Sequence, residues 1–331
     1  MNEQIQVIDQ NLIPHVTLKN GEKIPAMGLG TFGSDKYGAD MVSKAVYGAI
    51  KEGYRFIDCA AVYQNEDRIG EVLKKIFSET DINRDDLFIV SKVWNDMHRR
   101  VKEACLKSLR DLKLSRLDLY FVHWPFPNYH APGCDGDSRN PDSKPFSVEE
   151  FMDTWRQMEE LVDEGYVRYI GMSNMTVKKL EAVYGLCRIK PSFLEMECHP
   201  AFQQPELFEY AKSLDIVPVG FCPIGSPSRP ERDRTSDDIA ATEMDVIKDI
   251  AKAHNVHPAL ICLKWAVQRG VIPIPFSVKE PQYHSNLECI TTDPLTEEEM
   301  ESIKKADKDC RLIKGQVFLW QGATDWRELW K

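Results

Sequence analysis

Residues 87–124 read LFIVSKVWNDMHRRVKEACLKSLRDLKLSRLDLYFVHW. The segment opens on Leu87–Val93 and closes on Leu117–Trp124, two short runs that are almost continuously apolar. Runs of this kind suit strands covered on both faces. Between them Val101, Cys105, Leu109 and Leu112 recur at the spacing of one helix stripe. A strand, a helix and a second strand predict one unit of a parallel α/β fold.

Working outward, the same unit repeats. Strand-like runs stand at Met27–Thr31 and Phe56–Cys59 on one side. On the other they stand at Val167–Ser173, Phe193–Cys198, Ile216–Phe221 and Val271–Ile274. Helical stripes lie between, as in Val42-Val46-Ala49, Phe151-Trp155-Met158-Leu161 and Met244-Ile247-Ile250. An open doubly wound sheet would also fit the pattern, but its first turn needs a dinucleotide fingerprint. Gly28, Gly30 and Gly33 have that spacing, yet Ser-Asp-Lys follows them instead of an apolar helix start. Eight units in 331 residues fit a closed (β/α)8 TIM barrel better.

The whole chain, 1–331, therefore reads as a single barrel domain. Ahead of it Val16–Lys19, Asn20-Gly21 and Lys23–Met27 predict a β-hairpin over about residues 14–27. The barrel spans about 27–310, and an irregular segment over about 311–331 carries Trp320, Trp326 and Trp330. Pro125–Ser147 and Ser226–Thr242 are two further long connections, and all three are expected at the C-terminal face.

Composition narrows the function classes. A net charge of -10 gives no electrostatic reason to expect nucleic acid or an anionic membrane. No apolar stretch approaches the roughly 20 residues of a membrane span. The start, MNEQIQVIDQ, lacks a basic and apolar leader. Nine scattered cysteines without a CxxC read as reduced thiols, so the expected location is cytoplasmic. The expected state is a monomer or weak homodimer.

In a barrel of this kind chemistry gathers where strands end. Phe56-Ile57 runs into Asp58, the next strand into Lys92, and Phe121-Val122 into His123. Later strands end on Ser173-Asn174 and on Glu195 to His199. An Asp, a Lys and a His closing three successive strands would converge on one spot. A metal site is the rival reading, but a cation at Lys92 would repel the ion, and no HxH or HExxH occurs. Phosphoryl transfer lacks its glycine-rich GK[ST] cradle, and serine hydrolysis lacks a GxSxG elbow.

The same residues carry a family likeness. Gly53–Ala60 with Tyr63, Glu66 and Ile69-Gly70 resembles the first signature of the aldo-keto reductases. His123-Trp124-Pro125, Met158–Gly165, Ile170–Asn174, Glu197–Pro200 and Pro223–Ser226 are similar to later ones, and the likeness spans about residues 15–310. The resemblance is to the aldose and xylose reductase branch. It implies NAD(P)H-dependent reduction of an aldehyde, ketone or open-chain sugar, with Asp58, Tyr63, Lys92 and His123 as the catalytic positions. Hydride addition puts negative charge on the carbonyl oxygen, which calls for a donor there. Tyr63 would be that acid, Lys92 would lower its pKa, Asp58 would hold Lys92, and a neutral His123 would aim the substrate.

The resemblance also implies a cofactor set, with departures. Thr31, Ser173, Asn174, Ile224, Ser226, Ser277 and Asn286 stand at family contact positions. Glu195 replaces the usual glutamine, Phe221 a ring-stacking tyrosine and Cys222 a common serine. Phe276 and Gln282 replace a lysine and an arginine that hold the 2′-phosphate of NADPH. The implied cofactor is NADPH or NADH, with a tilt towards NADH being accepted. Phe32, Trp94 and Trp124 fall at the implied substrate pocket. The alternative is a non-catalytic cofactor-binding member of the family, and no metal is expected.

Overall fold

The eight apolar runs become eight parallel strands in the order of the chain. The computed structural model describes residues 7–33, 36–131, 134, 139–225, 229–231 and 234–331. Strands β1 (His15–Thr17) and β2 (Lys23–Pro25) form the antiparallel hairpin. Its Asn20-Gly21 pair sits within a five-residue connection, closed by Leu18 N–H to Glu22 O at 2.8 Å. The barrel strands are β3 (Leu29–Gly30), β4 (Phe56–Asp58), β5 (Phe88–Val93) and β6 (Leu117–Val122). They continue as β7 (Val167–Ser173), β8 (Phe193–Glu197), β9 (Val217–Phe221) and β10 (Ile272–Pro273).

The first and last strands meet. Gly28 N–H donates to Pro273 O at 3.0 Å and Gly30 N–H to Pro275 O at 2.9 Å, which closes the barrel. A Cβ at Gly30 would come within 2.8 Å of Ile274 O, so this glycine serves the closure. The GxGxxG spacing is explained by packing.

Helices α1 (Ala39–Glu52), α2 (Glu66–Glu79), α3 (Val101–Leu112), α4 (Val148–Asp163), α5 (Val177–Tyr184) and α6 (Pro205–Ser213) each follow one strand. After β9 come α7 (Asp245–Ala253) and α8 (Pro258–Arg269). After β10 come α9 (Glu280–Glu288) and α10 (Glu297–Lys305). The stripe Val101, Cys105, Leu109 and Leu112 is buried against the sheet, as its spacing predicts. Ile247 and Ile250 of the Met244-Ile247-Ile250 stripe lie on the added helix α7, with Met244 as its N-cap, while the crossover before β10 is α8.

Two apolar layers result. Alternate strand residues Ile57, Ile89, Tyr120, Val122, Leu194 and Met196 face the helices. Their neighbours Phe56, Val90, Leu119, Phe121, Phe193 and Val219 fill the barrel interior with Leu18 and Ile24 of the hairpin. The hairpin thus plugs one end. Strand side chains point to one face at every second residue. Adding two to Phe56, Val90, Phe121, Phe193 and Val219 gives Asp58, Lys92, His123, Glu195 and Phe221. One pleat above the apolar filling, the interior turns polar.

Candidate active site

That polar layer floors a cavity of about 960 Å³ at the C-terminal ends of the strands. Lys92 is completely buried, and its Nζ lies 2.6 Å from both Asp58 oxygens and 3.1 Å from Cys59 O. Glu195 Oε2 stands 3.6 Å from the same Nζ. Tyr63 arrives from the short turn Ala61–Tyr63 directly after β4. Its ring centroid is 5.3 Å from Lys92 Nζ, and His123 meets that ring edge-on at 5.9 Å. Four side chains named from strand ends and one signature thus share one small volume.

The electrostatics follow from burial and from these distances. Burial pushes the Lys92 ammonium down, but Asp58, Glu195 and Tyr63 outweigh it and hold the pKa above its ordinary value. His123 is driven well below the usual imidazole range by burial and by Lys92, so it is neutral. Tyr63 departs from the sequence expectation. Burial lifts its phenol above the ordinary value; Lys92 pulls it down, but Asp58 and Glu195 push it up again. The net shift is upward, so the phenol is fully protonated at neutral pH. Burial raises Asp58 too, with its two short contacts to Lys92 opposing the rise. Glu195, farther from the ammonium, is pushed up to about 8, first by burial and then by Asp58 against the pull of Lys92.

Three non-glycine residues on the cavity wall hold left-handed backbone: Gln64 (φ 54°), Asn174 (φ 57°) and Cys222 (φ 50°). They follow β4, β7 and β9, and such conformations persist where the surroundings impose them. Asn174 Nδ2 is tied to His123 O at 2.9 Å and to Ser173 Oγ at 3.1 Å. Its Oδ1, like Glu195 Oε2, is buried with no hydrogen-bond partner among the described residues. Two buried oxygens with unused hydrogen-bonding capacity on one wall match the –NH2 of a carboxamide. Phe221 adds an aromatic face beside them. These residues fit a nicotinamide.

The rest of the expected set divides clearly. Thr31, Phe32, Ser173, Cys222, Ile224, Trp94, Trp124, Phe276, Ser277 and Gln282 all line the cavity. Asn286 does not; it sits on α9 one turn beyond Gln282, half-buried. Ser226 lies outside the described residues. Phe276 packs on Tyr37 at 5.9 Å, and Gln282 accepts from Ser277 Oγ at 2.8 Å. Among the described residues no cluster of three or more His, Cys, Asp or Glu is placed to hold a metal ion.

Sequence reading missed two contributors. Asn65 is buried and holds Thr31 O at 2.8 Å; its place two residues after Tyr63 was the available signal. Phe318 inserts against Trp124 at 4.5 Å, His130 at 5.1 Å and Trp94 at 5.9 Å. The C-terminal segment that carries it is fastened down by Glu197, whose carboxylate accepts Leu312 N–H at 2.7 Å and Ile313 N–H at 3.0 Å. Asn128 Nδ2 also donates to Phe318 O at 2.8 Å. Phe318→Ala should raise KM for a hydrophobic aldehyde about tenfold, the equivalent of about 1.4 kcal/mol of apolar contact, with kcat little changed. A fall in kcat at constant KM would remove Phe318 from the substrate wall.

A closed parallel barrel with this polar mouth suits an NAD(P)-linked oxidoreductase acting on carbonyl and alcohol groups. Comparison with known proteins agrees. The model of the aldo/keto reductase family matches residues 26–308. The chain is 36% identical over 317 residues to aldo-keto reductase family 1 member A1-A of Danio rerio, covering 95% of each. It is 39% identical over 313 residues to the NAD(P)H-dependent D-xylose reductase of Pachysolen tannophilus, covering 90% of this chain and 95% of that one. Among solved structures, the aldose reductase of Schistosoma japonicum superposes with a TM-score of 0.80 at 33% identity, covering 95% and 98% of the two chains. This protein belongs to the aldo/keto reductase family. No helix among the described residues is long and apolar enough to cross a membrane.

Proposed function

We propose that the chain reduces a small aldehyde, ketone or open-chain sugar to the alcohol, with Tyr63 as the general acid. The observation that carries this reading is the ammonium of Lys92 locked between the Asp58 oxygens and beside the Tyr63 ring. A bound reduced nicotinamide dinucleotide would supply the hydride. Asn174 and Glu195 would hold its carboxamide and Phe221 would face its ring. Tyr63, fully protonated, donates its hydrogen to the substrate oxygen as negative charge builds there. Lys92 stabilises the phenolate that remains, and Asp58 keeps that ammonium in place. Neutral His123 offers a second, uncharged contact to the same oxygen. Phe32, Trp94, Trp124 and Phe318 exclude water from the reacting end. Loss of reduced-cofactor absorbance across a panel of aldehydes, ketones and sugars tests the reading; no turnover on any carbonyl would favour a cofactor-binding member without catalysis.

Cofactor choice is read from the far end of the cavity. Phe276 and Gln282 present no charge to a 2′-phosphate, and Gln282 is already paired with Ser277. Lys279, exposed on the rim, is the cation that NADPH would recruit. NADH is therefore expected to serve at least as well as NADPH. The pair Phe276→Lys and Gln282→Arg should tighten NADPH by about tenfold or more and leave NADH nearly unchanged, since each new cation bonds only the phosphate. Titration of both dinucleotides by protein fluorescence reads this. A strong wild-type preference for NADPH would overturn it.

A further inference from the structure

The buried cluster on the floor of the barrel mouth holds one more ionisable group than proton donation needs. Asp58 and Lys92 cancel one another at 2.6 Å, His123 is neutral, and Tyr63 carries its proton. What remains is Glu195, on β8. It is 2% exposed, lines the cavity, and leaves Oε2 with no hydrogen-bond partner among the described residues. The groups facing it are Lys92 of β5, Asp58 of β4 and, through the same cluster, Tyr63. Its register partners on β7 and β9, Ser173 and Val219, bring no charge. A single proton on Glu195 therefore sets the net charge of this buried cluster, apart from the exposed cations and carboxylates of the rim: zero when it is present, minus one when it is lost.

That charge matters because the nicotinamide ring changes its own. The reduced ring is neutral, whereas the oxidised ring carries one positive charge. A neutral side chain at this position would treat the two alike. A buried carboxylate attracts the pyridinium and is indifferent to the dihydropyridine. We infer that Glu195 is a proton-linked selector of cofactor redox state: ionised, it favours the oxidised dinucleotide; protonated, it lets the reduced one bind equally well. The inference rests on the nicotinamide site proposed above and extends it. Since burial lifts Glu195 to about 8, the selector works around neutral to mildly alkaline pH. By linkage, binding the oxidised form must release a proton there and binding the reduced form must not.

The test is a binding measurement on the whole protein. Dissociation constants of the oxidised and reduced dinucleotide are titrated by tryptophan fluorescence at pH 6 and pH 9, using whichever pair binds more tightly. Any 2′-phosphate is common to both members and cancels in their ratio. Going from pH 6 to pH 9, the oxidised-to-reduced ratio of Kd should fall about tenfold or more in the wild type. In Glu195→Gln it should stay flat. A flat ratio in the wild type, or an equal fall in the variant, overturns the assignment to Glu195. If Glu195→Gln does not fold, the wild-type curve and the protons released on binding, read calorimetrically in two buffers, decide alone. Failure of both dinucleotides to bind at either pH sinks the nicotinamide site itself, an outcome distinct from a flat ratio.

Discussion

Tyr63→Phe is expected to lower kcat for aldehyde reduction by about 10²–10⁴-fold, the range a positioned general acid supplies. The ring stays, so its edge contact with His123 and its packing on Phe32 at 5.2 Å are kept. Only the hydroxyl goes. Dinucleotide affinity should hold within about twofold, because Tyr63 is not among the groups proposed to grip the carboxamide. Steady-state kinetics and a cofactor titration on one preparation separate the two effects. An unchanged kcat would mean that another group protonates the oxygen.

Replacing Lys92 with methionine should cost both rate and stability. The ammonium is fully buried and bonds both Asp58 oxygens and Cys59 O. Its loss leaves Asp58, 1% exposed, without the cation that offsets its burial. Breaking a buried pair from one side costs about 3–5 kcal/mol, which for a chain of this size lowers Tm by about 4–7 °C. Activity should fall at least as far as in Tyr63→Phe, since the phenolate loses its counter-charge. The double variant Asp58→Asn with Lys92→Met should regain much of the stability and none of the rate. Thermal melts and turnover on the three proteins read this. A single variant that melts with the wild type would show that the pair is not held as described.

The fold was largely legible because strands buried on both faces leave short apolar runs. The run Val167–Ser173 coincides with β7, and the other barrel strands begin and end within about two residues of their apolar runs. The crossover helix α8 carries no amphipathic stripe in the sequence. Ile261 to Ala266 are all buried, so no polar face marks it as a helix. The polar layer was legible for the opposite reason: Asp58, Lys92 and His123 interrupt apolar runs at their ends, where only a barrel mouth makes them useful. Tyr63 needed the family signature, because a turn residue five places after Asp58 carries no periodic mark. Phe318 was hidden because its contacts are made across the mouth by a segment with no regular structure. The sense of the Tyr63 shift was also out of reach. Sequence names the nearby cation, but it cannot weigh that cation against burial and a second carboxylate at Glu195.

The most direct test is a crystal structure with oxidised dinucleotide and a carbonyl-mimicking inhibitor bound. The expected result is Tyr63 Oη within hydrogen-bond reach, about 2.6–3.2 Å, of the inhibitor oxygen, with Lys92 still paired to Asp58 behind it. A Tyr63 hydroxyl turned away from that oxygen and remote from the nicotinamide ring would contradict the proposed chemistry.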